Sequence, residues 1–526
     1  MIISDLMKYS RLAWELRSFL KNEVTLKQSK EAIRKRLLNR EQNFLNLIKK
    51  GIFQSRKSPY LRMLKIAGCE FGDIEALVNR DGVEGALQKL YESGVYLSTE
   101  EYNGKREIVR GGISFPLQQS DLDNPFTSHW YRGQSSGTRS AGTRTTFDLR
   151  HMFEQSYYRL PMLSAADVLD FPLAVWQSVF PAMAGIGSVL QFHVVGKPAS
   201  RWFSPVDERT INASPTHRLA LRYILYGSRL WGASLAKPEF VDLNHAGIVA
   251  GWMADARKEH GGCSLHSPVS LACKVCEAAL AEGLDIRGTR FSVGGEPLTD
   301  AKRRYIESTG ASVMPRYTTT ELGRIGFGCT LTKGDELHFF SDSMAVIQRR
   351  RKVEHSDVEV DAFLFTPILP TVPKVLLNYE VGDYGIIETR KCDCIFGELG
   401  LDRQLHGIRS FDKLTGTGVT LVGSFFVHVL EEVLPRKYGG TPTDYQLLEE
   451  EDSRGQTRLS LIVSPAVGEV DEKDIVNTLL FEVHGDNQGG RLTASLWSQA
   501  EAIRVKRMHP ISRSGKIVTM ELKKGK

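Results

Sequence analysis

The chain is short of several features that would place it in a class at once. No stretch reaches the ~18 uninterrupted apolar residues of a spanning helix, so membrane insertion is not expected. The opening residues, Met1 to Lys8, lack the basic-then-apolar plan of a secretory signal. Seven cysteines in 526 residues, an odd number without framework spacing, suit reduced thiols in a cytoplasmic protein better than a disulfide scaffold. Charge of one sign is scarce too: 68 Lys and Arg against 62 Asp and Glu leave +6. With no zinc-finger, RNP or basic-zipper pattern, nucleic acid is not an expected partner; a small anionic ligand is. There is no internal repeat and no low-complexity tract.

What is present reads as an α/β protein. The 41% apolar content is ordinary, and the length suffices for one large domain plus a small one. Residues 1–92 read as a charged helical lead-in, with Leu12, Leu16, Phe19 and Leu20 at helical spacing. Residues 94–118 read as extended. From about 163 to 330 helices alternate with short apolar strands, which implies a parallel or mixed sheet with covering helices. Val189 to Val195 is expected as a strand, and so are Arg290–Val293 and Ala311–Tyr317. Helices are expected from Asn244, from Ser267-Pro268 (an N-cap serine, then proline in the first turn) and over Leu298–Ser308. Residues 335–390 read as a β subdomain, with strands at Leu337–Phe340, Met344–Gln348, Val358–Phe365 and Val375–Tyr379. The run Arg349-Arg350-Arg351-Lys352 is expected as a solvated turn, and Gly382-Asp383 as a tight turn. Beyond about 409 the pattern suggests a small α+β domain.

Five segments carry candidate chemistry. Ser135, Ser136, Gly137, Thr138 and Arg139 open a Ser/Gly/Thr-rich loop that runs to Arg144. Such a loop leaves backbone N–H groups open to a phosphate chain; it is not a P-loop, since no Gly-Lys-Ser/Thr closes it. A plain surface loop has the same composition. Gly294-Gly295-Glu296-Pro297 and Tyr317-Thr318-Thr319-Thr320-Glu321 each follow an expected strand, where ligands of open α/β sheets bind. Glu321 suits Mg²⁺ and Thr320 a phosphate; a capped turn with a solvated glutamate is the plain alternative. Asp383 can accept two ribose hydroxyls. The fourth segment, Arg409 to Gly418, is followed by a Leu430–Leu434 helix, and the fifth is Ser514-Gly515-Lys516. Cys263, His266, Cys273 and Cys276 form a possible zinc set, as do Cys392 and Cys394. Cys273 and Cys276 fall on an apolar stripe, however, and buried structural cysteine is the preferred reading. His245, at a helix start, borders an acid pocket or serves as a surface cap.

In their order along the chain these segments resemble the adenylate-forming superfamily of acyl-CoA synthetases, peptide-synthetase adenylation domains and luciferases. The Gly-Gly-Glu-Pro turn, the Arg409-to-Gly418 run and the Leu-Glu-Glu-Val-Leu helix look most like its phenylacetate–CoA ligase branch. The resemblance spans about residue 130 to the C-terminus. It implies a large N-terminal α/β domain with mixed sheets and a β subdomain over 1–409, and a small mobile α+β lid over 410–526. It implies ATP, Mg²⁺ and coenzyme A as reactants or cofactors, and a small-molecule carboxylic acid as substrate. A carrier protein or an amine is the alternative acceptor, and a non-catalytic binding protein of the same fold the third reading.

By the same resemblance, the loop from Ser135 clasps the β- and γ-phosphates. Tyr317 stacks on adenine, Thr320 touches the α-phosphate and Glu321 binds Mg²⁺. Gly294 to Pro297 and Thr318 line the nucleotide and acid pocket, Asp383 and Arg409 hold the ribose, and Lys516 bridges carboxylate and α-phosphate. The chain departs from the pattern in three places. Its phosphate loop is long and offers Arg139 or Arg144 for the closing lysine, Thr318 stands for a glycine, and Phe411 stands where a polar hinge residue is usual.

Overall fold

The computed structural model describes residues 14–127, 131–134, 144–179, 184–207, 219, 221–352, 359–410, 415–416, 419–420, 427–451, 457–486, 503–513, 516–517 and 519–523. A twelve-stranded mixed sheet organises the chain up to Ser410. Its strands are β1 (Leu173–Trp176), β2 (Arg201–Ser204), β3 (Pro238–Phe240), β4 (Ser264–Pro268), β5 (Arg290–Gly294) and β6 (Ser312–Thr319). β7 (Gly323–Phe327), β8 (Leu337–Phe339), β9 (Met344–Lys352), β10 (Glu359–Pro367), β11 (Tyr379–Thr389) and β12 (Arg403–Ser410) complete it. The first six are parallel and lie side by side as β3-β2-β1-β4-β5-β6. This is a doubly wound order, reversing between β1 and β4. The other six pair antiparallel, in the order β7-β8-β12-β11-β10-β9.

Alternation along β1 shows why both faces are covered. Leu173 and Val175 enter one apolar core, and Ala174 and Trp176 the other. In β2, Trp202 and Phe203 divide in the same way. Strands buried on both faces are what a parallel sheet demands. Each indole N–H is satisfied by a carbonyl, Trp176 on Val241 at 3.2 Å and Trp202 on Gln177 at 2.9 Å. The helices α1 (Ala246–His260), α2 (Val269–Glu282) and α3 (Asp300–Glu307) carry the second core. The lead-in helices pack on the antiparallel half, where Phe44, Ile48 and Leu87 meet Phe363 and Phe365. A separate four-stranded sheet, in order β15-β14-β13-β16, follows: β13 (Tyr445–Glu451), β14 (Thr457–Val463), β15 (Ile503–Arg507) and β16 (Met520–Lys523). It has its own core around Leu430, Leu461 and Leu479.

Several local expectations are corrected. Residues 184–194 form a helix, where a strand was expected over Val189–Val195. A short apolar run does not by itself distinguish the two, and here Ile186, Val189 and Leu190 repeat at helical spacing while Gly185 lets the Trp202 ring approach. α2 begins at Val269 after a strand that contains Ser267, so Ser267 is not its cap. Leu298 and Thr299 precede α3, and the Thr299 hydroxyl caps it. Gly382-Asp383 lies inside the single strand β11, at a register irregularity, and residues 375–378 are not strand. The run Arg349–Lys352 belongs to β9. Its Arg349 and Arg351 converge on Glu380, which is fully buried.

Removing one partner of such a group strands the others. Glu380→Ala is expected to lower stability by about 3–5 kcal/mol, read from the midpoint of chemical denaturation, with Arg350→Ala, on the exposed side of the same strand, changing it little.

Candidate functional site

Two of the five predicted segments, Gly294–Pro297 and Tyr317–Glu321, lie at the carboxyl ends of the neighbouring strands β5 and β6. β5 ends at Gly294, whose Cα lies so close to β6 that a Cβ would sit 2.6 Å from the Arg316 carbonyl. Gly295 follows, exposed, and Glu296 and Pro297 are half-buried. Glu296 turns its carboxylate onto the start of α2. It accepts from the Ser270 backbone N–H at 3.3 Å and from the Ser270 hydroxyl. Pro268 gives α2 no side-chain cap, so this carboxylate serves the open N–H groups and the positive end of the helix dipole.

β6 and β7 are joined by a three-residue turn, Thr320 to Leu322, tightened by a hydrogen bond from the Leu322 N–H to the Thr319 hydroxyl at 3.1 Å. Thr318 and Thr320 are exposed and Glu321 is half-buried. Just before the turn, Tyr317 donates its hydroxyl to Asp383 at 2.7 Å, joining the two halves of the sheet. Burial first, then the Asp383 and Glu321 charges, push the Tyr317 phenol well up, so it stays a donor. Tyr102, from the lead-in, also feels the Glu321 charge, after burial. Arg409 lies on β12 opposite Tyr384, and its guanidinium is 2.7 Å from Asp335, which also accepts the Gly407 N–H at 2.9 Å. Tyr317 and Asp383 are therefore brought together, while Arg409 is held by Asp335, a residue the sequence reading missed. His245 sits on an exposed turn after β3, its Nδ1 2.9 Å from Asp242.

Behind this edge the buried guanidinium of Arg159 and the half-buried Arg316 and Arg324 lie near one another. Arg316 donates to the Ser292 and Ser267 carbonyls; Arg159 and Arg324 share the Gln191 side-chain oxygen. Burial and mutual repulsion bring Arg316 down to about 9, and burial brings Arg324 down to about 10.

Residues 135–143, and with them Ser135, Ser136, Gly137, Thr138 and Arg139, lie outside the described residues, as does Phe411. The flanking strands Tyr131–Gln134 and Arg144–Phe147 pair antiparallel. The side chain of Lys516 is also outside the description, but its backbone is placed. Lys516–Ile517 pairs with Ser512–Arg513, and the Ile517 N–H donates to the Ser270 hydroxyl at 2.9 Å. One hydroxyl thus links the hairpin of Lys516 to Glu296. Three more contacts fasten the C-terminal unit to α2 and α3: Lys302–Glu431 at 2.8 Å, nearly fully buried, Arg304–Glu432 at 2.7 Å and Lys274–Asp444 at 3.5 Å.

The cysteines resolve into two groups. Cys263, Cys273 and Cys276 are core residues, with thiols pushed up by burial. Cys392 and Cys394 meet Cys329 and His338, with all four ligand atoms within 4.8 Å of one another.

A doubly wound sheet with an antiparallel extension and a small α+β unit docked against it make up a fold that the chain shares with a solved acyl-CoA ligase. No protein-family model matches the sequence, and no curated protein matches it. Among solved structures, the chain is similar to 2-hydroxyisobutyryl-CoA ligase in its postadenylation state with R3-HIB-AMP. The identity is 14%, with 95% of this chain and 90% of that one covered and a TM-score of 0.55. The open conformation of that ligase, in complex with 2-HIB-AMP and CoA, matches at 13% identity, 92% and 92% coverage and TM-score 0.47. The amide bond synthetase McbA from Marinactinospora thermotolerans matches at 12%, 96% and 97%, and 0.40. Among the described residues no helix is long and apolar enough to cross a membrane.

Two outcomes follow from this geometry. Glu431→Ala leaves the Lys302 ammonium buried without its main counter-charge, at a cost of about 3–5 kcal/mol. Amide exchange in residues 269–282 and 427–438 should accelerate, with the sheet core unchanged. His151, beside Gly323 at the foot of the Glu321 turn, is held down to about 3 by burial, then by Arg36 and Arg324. The unfolded chain takes up a proton near 6.5 that the folded one refuses, so stability is lost as pH falls from there toward 3. The slope is at most about 1.4 kcal/mol per pH unit for one proton, and acid titrations of His151→Phe should lack it.

Proposed function

We propose that the protein activates a small-molecule carboxylic acid with ATP and Mg²⁺ and passes the acyl group to the thiol of coenzyme A. The observation that carries this reading is the Ile517–Ser270–Glu296 chain of hydrogen bonds. It sets the backbone of Lys516 at the strand ends that bear Gly294–Pro297 and, one strand over, Tyr317–Glu321.

In the first step the carboxylate oxygen attacks the α-phosphorus and pyrophosphate leaves. Such a step needs charge offset and alignment, with positioning alone contributing roughly 7–11 kcal/mol at ideal geometry. It needs no general base, because the acid is already ionised at pH 7. The half-buried Glu321 carboxylate offers a hard oxygen donor of the kind Mg²⁺ prefers, and the exposed Thr320, its neighbour in the chain, is the donor to the α-phosphate. The metal would supply positive charge to the phosphoryl oxygens. Asp383, already fixed by Tyr317, is the ribose acceptor, with Arg409 beside it on β12. Lys516 supplies a charge to carboxylate and α-phosphate, and the loop from Ser135 to Arg139 receives the outer phosphates. In the second step the thiolate attacks the acyl carbon and AMP leaves, after the unit from about residue 410 onward has rotated and withdrawn Lys516. An aromatic or medium-sized apolar acid, as in the phenylacetate–CoA ligase branch, is the proposed substrate class, and the cytoplasm the proposed compartment.

Acid-dependent exchange of labelled pyrophosphate into ATP, run over an acid library, tests the reading. Lys516→Ala is expected to reduce exchange by about 10²–10³-fold, the scale for removing one charge-stabilising group. Exchange without thioester formation assigns the acyl group to a carrier protein or an amine. No exchange with any acid removes the ligase reading and leaves a binding protein.

A further inference from the structure

We propose that Cys329, His338, Cys392 and Cys394 bind one structural zinc ion that fastens the two halves of the large sheet. The cluster lies outside the residues assigned to nucleotide and acid, and the inference does not depend on that assignment.

The geometry is that of a tetrahedral metal site. With Zn–S near 2.3 Å and Zn–N near 2.0 Å, the edges of a tetrahedron are about 3.8 Å between sulfurs and about 3.6 Å from sulfur to nitrogen. Cys329 Sγ and Cys392 Sγ are 3.7 Å apart, and Cys394 Sγ is 3.3 Å from His338 Nε2. A disulfide needs about 2.0 Å and the right dihedral, and none of these cysteines is bonded to another. Three thiolates and an imidazole fill all four positions of a tetrahedral ion, which is the structural rather than the catalytic arrangement.

The outer shell is in place as well. His338 is fully buried, and its Nδ1 lies 2.9 Å from the Leu401 carbonyl. That carbonyl accepts the ring N–H, which leaves the Nε2 lone pair aimed at the cluster, as metal-binding histidines require. The Leu331 N–H donates to Cys329 Sγ at 3.4 Å, which favours a thiolate there. Gly397 closes the Cys392–Cys394 turn so tightly that a Cβ would lie 1.8 Å from the Cys392 carbonyl oxygen.

The location gives the ion a task. β8 is only three residues long, yet in the sheet it alone connects β7, the antiparallel strand that adjoins the parallel six, to β12 and the strands beyond it. It has two paired residues on each flank. His338 sits in β8, Cys329 in the β7–β8 connection, and Cys392 and Cys394 in the β11–β12 connection. Zinc therefore ties together the three segments that meet at the narrowest joint of the sheet. Tyr317 and Asp383 face each other across that joint.

The test is metal analysis of full-length protein expressed with zinc and dialysed against a chelator. About one zinc per chain is expected. Cobalt-substituted protein should show thiolate-to-cobalt charge transfer and the intense visible bands of a tetrahedral ion. A Cys392→Ser/Cys394→Ser double variant should retain almost none and melt at lower temperature. His338→Cys, which restores a four-ligand set, should keep zinc and so distinguish ligand loss from general misfolding; Cys69→Ser should match wild type. Folded wild-type protein with no stoichiometric zinc and no cobalt spectrum overturns the proposal. So does a double variant that holds as much zinc as wild type, or a Cys329–Cys392 disulfide found by non-reducing peptide mapping.

Discussion

The hydroxyl of Ser270 is the point on which the arrangement of the site turns. It donates to Glu296 from the Gly-Gly-Glu-Pro turn and accepts from the Ile517 amide. It is buried at the start of α2, next to the carboxyl end of β4. A buried hydroxyl with both roles filled has little freedom to choose other partners. The glutamate it holds serves the open N–H groups of α2, so the turn cannot shift without uncapping the helix. The hairpin of Lys516 is thereby referenced to the same helix end as the turn that follows β5. Nearly 250 residues separate Ser270 from Ile517 in sequence, and a single side chain closes that distance.

Much of this was legible in the sequence because its signals are local. Gly294 to Pro297 and Tyr317 to Glu321 each follow a short apolar strand, and in a doubly wound sheet such positions are strand ends by construction. The elements misread were those whose form depends on a partner distant in sequence. Arg349 and Arg351 look like a solvated run until Glu380, thirty residues on, is brought beside them in the sheet. Residues 184–194 form a helix buried around most of its circumference, with Ile186, Val189, Leu190, Phe192 and Val194 in one apolar core. No local pattern marks Asp335 as the partner of Arg409, or Ser270 as a clasp. Cys329 and His338 were missed for a similar reason. Cys-x-Cys alone is a weak ligand signal, and its companions stand more than fifty residues upstream.

The two halves of the sheet have different origins of rigidity. The parallel half is buried on both faces and closed by helices, so apolar area holds it. The antiparallel half leans on the lead-in helices and on buried charge such as Glu380. They meet at the β6–β7 ladder, and one strand further on the described sheet runs through the short pairings of β8, supplemented by the Tyr317–Asp383 hydrogen bond and the side chains gathered around His338. A nucleotide site that takes residues from both halves needs that joint to hold its register.

The docking of the C-terminal unit can be weighed in the same terms. Lys302 and Glu431 are almost wholly buried, and such a pair is often no more stable than two apolar residues of the same size. An apolar pair would, however, leave an exposed patch whenever the unit moved away, with the association risk that exposed apolar surface carries. Two charges that separate into water are each rehydrated, so opening the whole interface recovers much of the desolvation cost that deleting one partner does not. Thr299 and Thr519 add hydroxyl donors to the Glu431 carboxylate, and these too exchange for water at no great cost. A contact that is specific when closed and soluble when open is what the proposed two-step reaction asks of this interface. The lysine–glutamate pair at its centre suits that requirement better than a leucine pair would.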